Sequence, residues 1–184
     1  MLFGWGYMWE MDQDACPADV FLVDWIQSQG FANKRIYHMG TGAHHHVGRQ
    51  LSDMGHCIQA ITAAPDEFKV WMDLVIDHPE IGDHYKPIFG DIYQTDPRQF
   101  GRFDIVSLFH LGEFSNEIRG HGPGLSDHEL IEMFYNLLDK GGYMLFYEGS
   151  YGFAKIVDMI ERLHADRFLE RQPNYHSLRI YTKV

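Results

Sequence analysis

Arg35-Ile-Tyr-His-Met-Gly-Thr-Gly-Ala-His-His-His-Val-Gly48 is the stretch on which the fold turns. The apolar run before Gly40 reads as a buried strand. After Gly48, Arg49–Met54 reads as a helix stopped by Gly55, and Cys57–Ile61 as a second strand. Strand, glycine loop, helix and strand make one βαβ unit. Glycine is needed where the chain turns sharply at a strand end and brings its backbone close to a ligand. Nucleotide-type ligands settle there because a helix N-terminus presents free N–H groups.

Outward from this unit the pattern repeats. Ala18–Gln29 is an amphipathic helix ended by Gly30, and Pro65–Asp77 is a helix with Phe68, Val70, Trp71, Leu74 and Val75 on one face. Pro87–Asp91 is a short third strand. Phe103–Phe109 is a continuous apolar run, the mark of a strand buried on both faces. The glycine-rich Ser115–Leu125 is expected to be a mobile loop. Ser126 and Glu129 stand in capping-box spacing before a helix over Leu130–Leu138. Lys140–Gly142 is a turn, Tyr143–Tyr147 a fifth strand and Lys155–Leu163 another helix. Phe168–Arg171 and Ser177–Thr182 are set to pair as an antiparallel hairpin. Strict alternation predicts an α/β fold with a doubly wound, mostly parallel sheet and a terminal antiparallel hairpin. One domain over 1–184 is expected, with 1–30 as an N-terminal lid and helix segment and 31–184 as the core.

The 184 residues are 45% apolar, enough for one sizeable core. A formal charge of −11 disfavours a nucleic-acid partner, because Lys and Arg are scattered rather than gathered on one face. No apolar run approaches the roughly 20 residues of a membrane helix, and the apolar start lacks the basic flank of a secretory signal. With Cys16 and Cys57 alone there is no disulfide framework, so a cytoplasmic protein with a small-molecule partner is expected.

The glycine loop departs from a dinucleotide fingerprint. Gly40 and Gly42 fit, but His45 holds the third glycine position and Thr62 the tip of the second strand. A phosphate-cradling Gly-Lys-Ser/Thr loop is absent from the sequence. What the chain does resemble, over roughly Ala18 to Val184, is the class I S-adenosylmethionine-dependent methyltransferases. Ile36–Gly42 is similar to their first glycine motif, and Phe89-Gly-Asp-Ile92 to the segment whose acid meets the adenine amino group. Phe103–Phe109 is similar to their fourth strand, and Asn136–Leu145 to their glycine turn and fifth strand. Two positions differ from the usual pattern. His38 stands where members carry an acid before the first glycine, and Thr62 where they carry the acid for the ribose hydroxyls. Ala60-Ile-Thr-Ala-Ala-Pro-Asp-Glu67 resembles a variant with Gly-Ile-Thr-Leu-Ser and a later Gln, which puts Glu67 near the Gln place.

The resemblance implies a methyltransferase acting on a small-molecule O, N or C nucleophile, with S-adenosyl-L-methionine as cofactor and S-adenosyl-L-homocysteine as product. His38, Gly40, Thr41, Gly42, Thr62, Glu67, Asp91, Ile92 and Phe109 are then the cofactor-binding candidates. His110 and Glu113, at the tip of the fourth strand, are the catalytic candidates, with His110 able to take a proton near neutrality. Glu148 is a further candidate for substrate contact. His44, His45 and His46 are adjacent, and three neighbouring side chains do not converge readily on one ion, so no metal is expected there. They line a pocket or cover the start of a helix. Phe3, Trp5, Tyr7 and Trp9 are a candidate lid. So short a chain needs its pocket completed by that N-terminus, by the 115–125 loop, or by a second subunit in a homodimer. Two other functions stay open: a repurposed, non-catalytic relative, for which His38 and Thr62 speak, and a metal-dependent enzyme centred on the histidines.

Overall fold

The computed structural model describes residues 9–114 and 124–184. The chain divides into two compact units, Met1–Ile92 and Tyr93–Val184.

The first unit runs α1 (Ala18–Ser28), β1 (Arg35–Met39), α2 (His46–Leu51), β2 (Cys57–Thr62), α3 (Pro65–Asp77), α4 (Pro79–His84) and β3 (Tyr85–Phe89). Its strands are parallel in the order β3-β2-β1. Met39 pairs with Ile61, and Ile61 with Ile88, so the three strands end nearly level. That register places Gly40, Thr62 and Phe89 side by side, with Gly40 N–H donating to Ile61 O at 3.2 Å and Gly90 N–H, one residue past Phe89, to Thr62 O at 2.9 Å. Ile36, Tyr37, His38 and Met39 are all buried, as a strand covered on both faces requires.

Two expectations need correcting in this unit. β3 begins at Tyr85 rather than Pro87, after a short helix α4 that the sequence pattern did not announce. And although α3 has the expected bounds, its apolar face is not a buried one. Phe68, Val70, Trp71, Leu74 and Val75 are half-buried, Met72 and Ile76 are exposed, and the single buried residue is Glu67.

The second unit runs β4 (Phe103–Ser107), α5 (Asp127–Leu137), β5 (Leu138–Tyr147), α6 (Phe153–Ala165), β6 (Leu169–Arg171) and β7 (Leu178–Lys183). β4 and β5 are parallel, whereas β7 is antiparallel to both β5 and β6, giving the order β4-β5-β7-β6. The capping box at Ser126 and Glu129 is formed in both directions and starts α5. The expected turn at Lys140–Gly142 is instead part of β5. Leu138 already pairs with Phe103, and the next pair, Ile105 with Tyr143, skips the intervening residues through a bulge. Gly141 takes φ +76 there, a left-handed conformation that glycine adopts freely. The expected loop at 115–125 lies almost wholly outside the described residues. Parallel βα alternation followed by antiparallel terminal strands makes this a doubly wound, mostly parallel α/β fold.

Candidate functional site

In the first unit, the chemistry gathers where β1 and β2 end. Gly40 has φ +88 and Gly42 φ +53, so the chain leaves β1 through two left-handed positions. A Cβ on Gly42 would lie 2.4 Å from His44 Nε2, so an imidazole of this chain packs against the missing side chain. Thr41, between the glycines, is 2% exposed, and its hydroxyl donates to Glu67 Oε2 at 3.1 Å. Thr62, at the tip of β2, donates to the same oxygen at 2.6 Å and accepts from Ala64 N–H at 3.0 Å. Glu67 therefore ties the glycine loop to the second strand from the first turn of α3, where the helix dipole favours a carboxylate.

Trp9 closes over this knot. Its N–H donates to Glu67 Oε1 at 3.3 Å, and its carbonyl accepts from Ala43 N–H at 2.8 Å. Trp9 is the one candidate lid residue among those described; Phe3, Trp5 and Tyr7 lie outside them.

His45 fixes the loop from below. It is 1% exposed with φ +46, in the left-handed region that costs a non-glycine residue. Its Nε2 meets the carbonyl of Glu67 at 2.8 Å and its Nδ1 the hydroxyl of Tyr85 at 2.8 Å. A carbonyl only accepts, so Nε2 carries the proton and Nδ1 accepts from Tyr85. Burial pushes the Tyr85 hydroxyl well above the usual range and pushes His45 below it, which keeps both neutral. Gly48 makes room for this pair, since a Cβ there would sit 2.3 Å from the Tyr85 ring.

His38 and His44 face α1. His38, 2% exposed, places Nε2 at 3.3 Å from Asp19 Oδ1, and His44 Nε2 stands 3.8 Å from Asp19 Oδ2. His44 Nδ1 accepts from His46 N–H at 3.1 Å, so its Nε2 bears the proton turned toward Asp19. Burial lowers the pKa of His44 and His46, with Asp19 pulling the other way. His45 thus turns away from His44 and His46, whose rings meet edge-on with centroids 6.3 Å apart, and among the described residues no group of three or more His, Cys, Asp and Glu is placed to hold a metal ion. At the end of β3, Asp91 is half-buried and Ile92 buried, at the start of a 3-10 turn over Ile92–Gln94.

In the second unit, His110 and Glu113 do come together beyond β4. His110 Nδ1 lies 3.2 Å from Glu113 Oε1, and Ser150 Oγ donates to that oxygen at 2.6 Å. Burial raises the Glu113 carboxyl, but the bond and charge of His110, with bonds from Ser150 and the Tyr151 backbone, bring it below the ordinary value. The loop carrying this dyad is tied to its surroundings by side-chain hydrogen bonds. Asp127 Oδ1 accepts from Gly112 N–H at 3.2 Å and from Tyr93 OH at 2.6 Å, while Lys155 Nζ donates to Gly112 O at 3.0 Å. A Cβ on Gly112, at φ +84, would meet Gly152 O at 2.8 Å. Phe109 is buried against Tyr147, with ring centroids 6.3 Å apart. Glu148, the expected substrate contact, accepts from Arg179 Nε at 2.7 Å in an ion pair.

Asp19 and Tyr85 escaped the sequence reasoning, as did the ties of Trp9 to Glu67 and of Ser150 to Glu113. Each acts through a partner far along the chain, such as Trp9 with Glu67 or His45 with Tyr85, and no local motif marks such pairs.

No protein-family model matches the chain, and no curated protein does so by sequence. Solved structures do match. A TehB-like SAM-dependent methyltransferase from Corynebacterium glutamicum superimposes with TM-score 0.59 at 16% identity, over 89% of this chain and 88% of that one. The N-methyltransferase NodS from Bradyrhizobium japonicum, in complex with S-adenosyl-L-homocysteine, gives 0.61 at 11% identity over 88% and 84%. Magnesium protoporphyrin IX methyltransferase from Synechocystis, with bound SAM, gives 0.58 at 13% over 90% and 76%.

The fold is that of the class I S-adenosylmethionine-dependent methyltransferases.

The donor set of the first unit suits the cofactor that goes with this methyltransferase fold. A carboxylate offers about four lone-pair sites, and Glu67 has three in use, so one further hydroxyl can be accepted there. Release of Trp9 frees a second site and the Ala43 N–H. The glycines leave backbone, rather than side chain, on the inner surface of the turn.

Proposed function

We propose that this chain is an S-adenosylmethionine-dependent methyltransferase acting on a small-molecule nucleophile. The observation that carries the reading is the Glu67 carboxylate, held by Thr41 and Thr62 at the tips of β1 and β2. A buried carboxylate joined to two hydroxyls beside a glycine turn is an acceptor set for a ligand rich in hydroxyl groups. In this reading Thr62 and Glu67 bind the ribose hydroxyls and Asp91 accepts from the adenine amino group, with Ile92 as an apolar wall. Gly40, Thr41 and Gly42 give backbone to the amino-acid end beside His38. When bound, the cofactor supplies an electrophilic methyl group on a sulfonium.

The chain's own residues then do two things. They position, since in-line transfer depends chiefly on holding the reactants in register. They also accept a proton: with Nδ1 donating to Glu113, the His110 Nε2 is the basic nitrogen for an incoming hydroxyl or amine. Glu113 favours this tautomer and stabilises the imidazolium that forms, and Ser150 keeps the carboxylate in place. The net charge of −11 supports a cationic cofactor and a small-molecule acceptor over nucleic acid. Among the described residues no helix is long and apolar enough to cross a membrane.

Isothermal titration of the full chain with S-adenosylmethionine and S-adenosylhomocysteine tests the proposal; saturable 1:1 heat is expected with both. No heat with either would overturn it. One observation favours a second reading, a methyltransferase-like binding protein: Trp9 already engages both Glu67 and the loop amide of Ala43. That reading requires the adenosyl ligands to be refused.

A further inference from the structure

We propose that Asp19 and Glu67, brought to the glycine loop by α1 and α3, are the carboxylates that hold the two ends of an adenosyl amino-acid ligand, Asp19 its ammonium-bearing tail and Glu67 its nucleoside. This rests on the cofactor reading above and adds to it a residue, Asp19, on a helix outside the βαβ unit.

The strand ends themselves carry no acid: β1 ends in His38-Met39 and β2 in Ile61-Thr62. Both carboxylates arrive one step removed. Asp19 meets His38 Nε2 with one oxygen and turns the other toward His44 Nε2. Glu67 meets Thr62 and Thr41 with one oxygen and Trp9 N–H with the other. Each acid stands in the first turn of its helix, where the dipole offsets the cost of keeping a charge partly out of water. Each also touches both a strand-end residue and a glycine-loop residue: His38 and His44 for Asp19, Thr62 and Thr41 for Glu67. The loop is therefore contacted by two carboxylates, by Asp19 through His38 and His44 and by Glu67 through Thr62 and Thr41.

Two consequences differ by ligand end. Asp19, through His38, is the charge facing an ammonium group of an amino-acid tail. Glu67, through Thr62, is the acceptor for sugar hydroxyls. Asp19 is thus a specificity-determining and positioning residue for the tail, and Glu67 one for the nucleoside.

The test is calorimetric and needs no turnover. The full chain is titrated with S-adenosylhomocysteine and with methylthioadenosine, which shares the nucleoside thioether but lacks the amino-acid tail. Asp19→Asn is expected to weaken S-adenosylhomocysteine about tenfold or more while leaving methylthioadenosine unchanged within error. Glu67→Gln is expected to weaken both by a similar factor, and Asp19→Glu, which keeps the charge, to retain preference for the tailed ligand. Equal weakening of both ligands by Asp19→Asn would make Asp19 merely structural and overturn the assignment. So would unchanged binding of S-adenosylhomocysteine. Should wild type bind neither ligand, the cofactor reading itself falls, an outcome distinct from the other two. Circular dichroism of each variant separates lost binding from lost fold, and if Asp19→Asn does not fold, the tailed-ligand preference of Asp19→Glu decides the matter.

Discussion

Replacing His45 by Ala should destabilise the first unit severely and flatten the pH dependence of its stability. The side chain is 1% exposed and satisfies two buried groups at once, the Tyr85 hydroxyl and the Glu67 carbonyl, each at 2.8 Å. Each buried group left without a partner costs about 1–3 kcal/mol. Alanine at φ +46 keeps the left-handed strain and relieves none of it. The sum over the two groups is about 2–6 kcal/mol, the scale of a broken buried network.

The pH signature follows from the tautomer. Burial lowers the folded-state pKa of His45, so the unfolded chain takes up the proton first as pH falls. Stability is then fully present above the unfolded value of about 6.5 and declines as pH drops below it. For one such histidine the limiting slope is about 1.4 kcal/mol per pH unit. His44, His46 and His56 are lowered by burial as well and add in the same direction. Urea denaturation of wild type at pH 7.5 and 5.5 should therefore show a large loss on acidification, and His45→Ala a visibly smaller one. A variant as stable as wild type, or one with an undiminished slope, would refute the assignment of the neutral imidazole as the pin beneath the loop.

Trp9→Pro removes the N–H that reaches Glu67, and should speed hydrogen exchange at the Ala43 amide, whereas Trp9→Phe should not; equal exchange in the two variants would show that the backbone contact is unimportant. Ser150→Ala takes away one of the bonds that lower the Glu113 carboxyl, so a carbon-detected titration should find its midpoint moved up, with Ser150→Thr restoring it. Since a depressed carboxyl contributes stability that is lost as pH falls through its folded value, the variant should lose that contribution at a higher pH.

Much of the architecture was legible because local chemistry decides it. Gly40 and Gly42 mark a turn only left-handed residues can make, Pro65 starts a helix at its own residue, and Ser126 with Glu129 caps another. The limits of β5 were not legible, because the bulge at Gly141 depends on pairing with Phe103 and Ile105 rather than on its own sequence. At the site, the candidates at strand ends were found by their place in the alternation. Their ties were not, since Trp9 to Glu67 spans 58 residues and His45 to Tyr85 spans 40. Asp19 carried no signal beyond being an acid at a helix start, a place where acids are common for reasons of the dipole alone.

The orientation of α3 shows what this chain gives up for its loop. Phe68 and Trp71 pack at 5.2 Å, and Phe68 and Phe89 at 5.6 Å, as a half-exposed aromatic cluster. Turning the helix by one residue would exchange Phe68 for Glu67 at the buried position and gain about 1.5–3 kcal/mol of apolar burial. It would also strip an acceptor from the Thr41 and Thr62 hydroxyls, at about 1–3 kcal/mol each, and pull the Glu67 carbonyl from His45. The polar register therefore wins by a modest margin, and local geometry reinforces it. Ala64 N–H is held by Thr62 Oγ1, Pro65 fixes the first turn, and a helical Cα–Cβ bond tilts toward the N-terminus, which aims Glu67 back at the strand ends. A helix whose only buried side chain is a carboxylate has been placed by what that carboxylate touches.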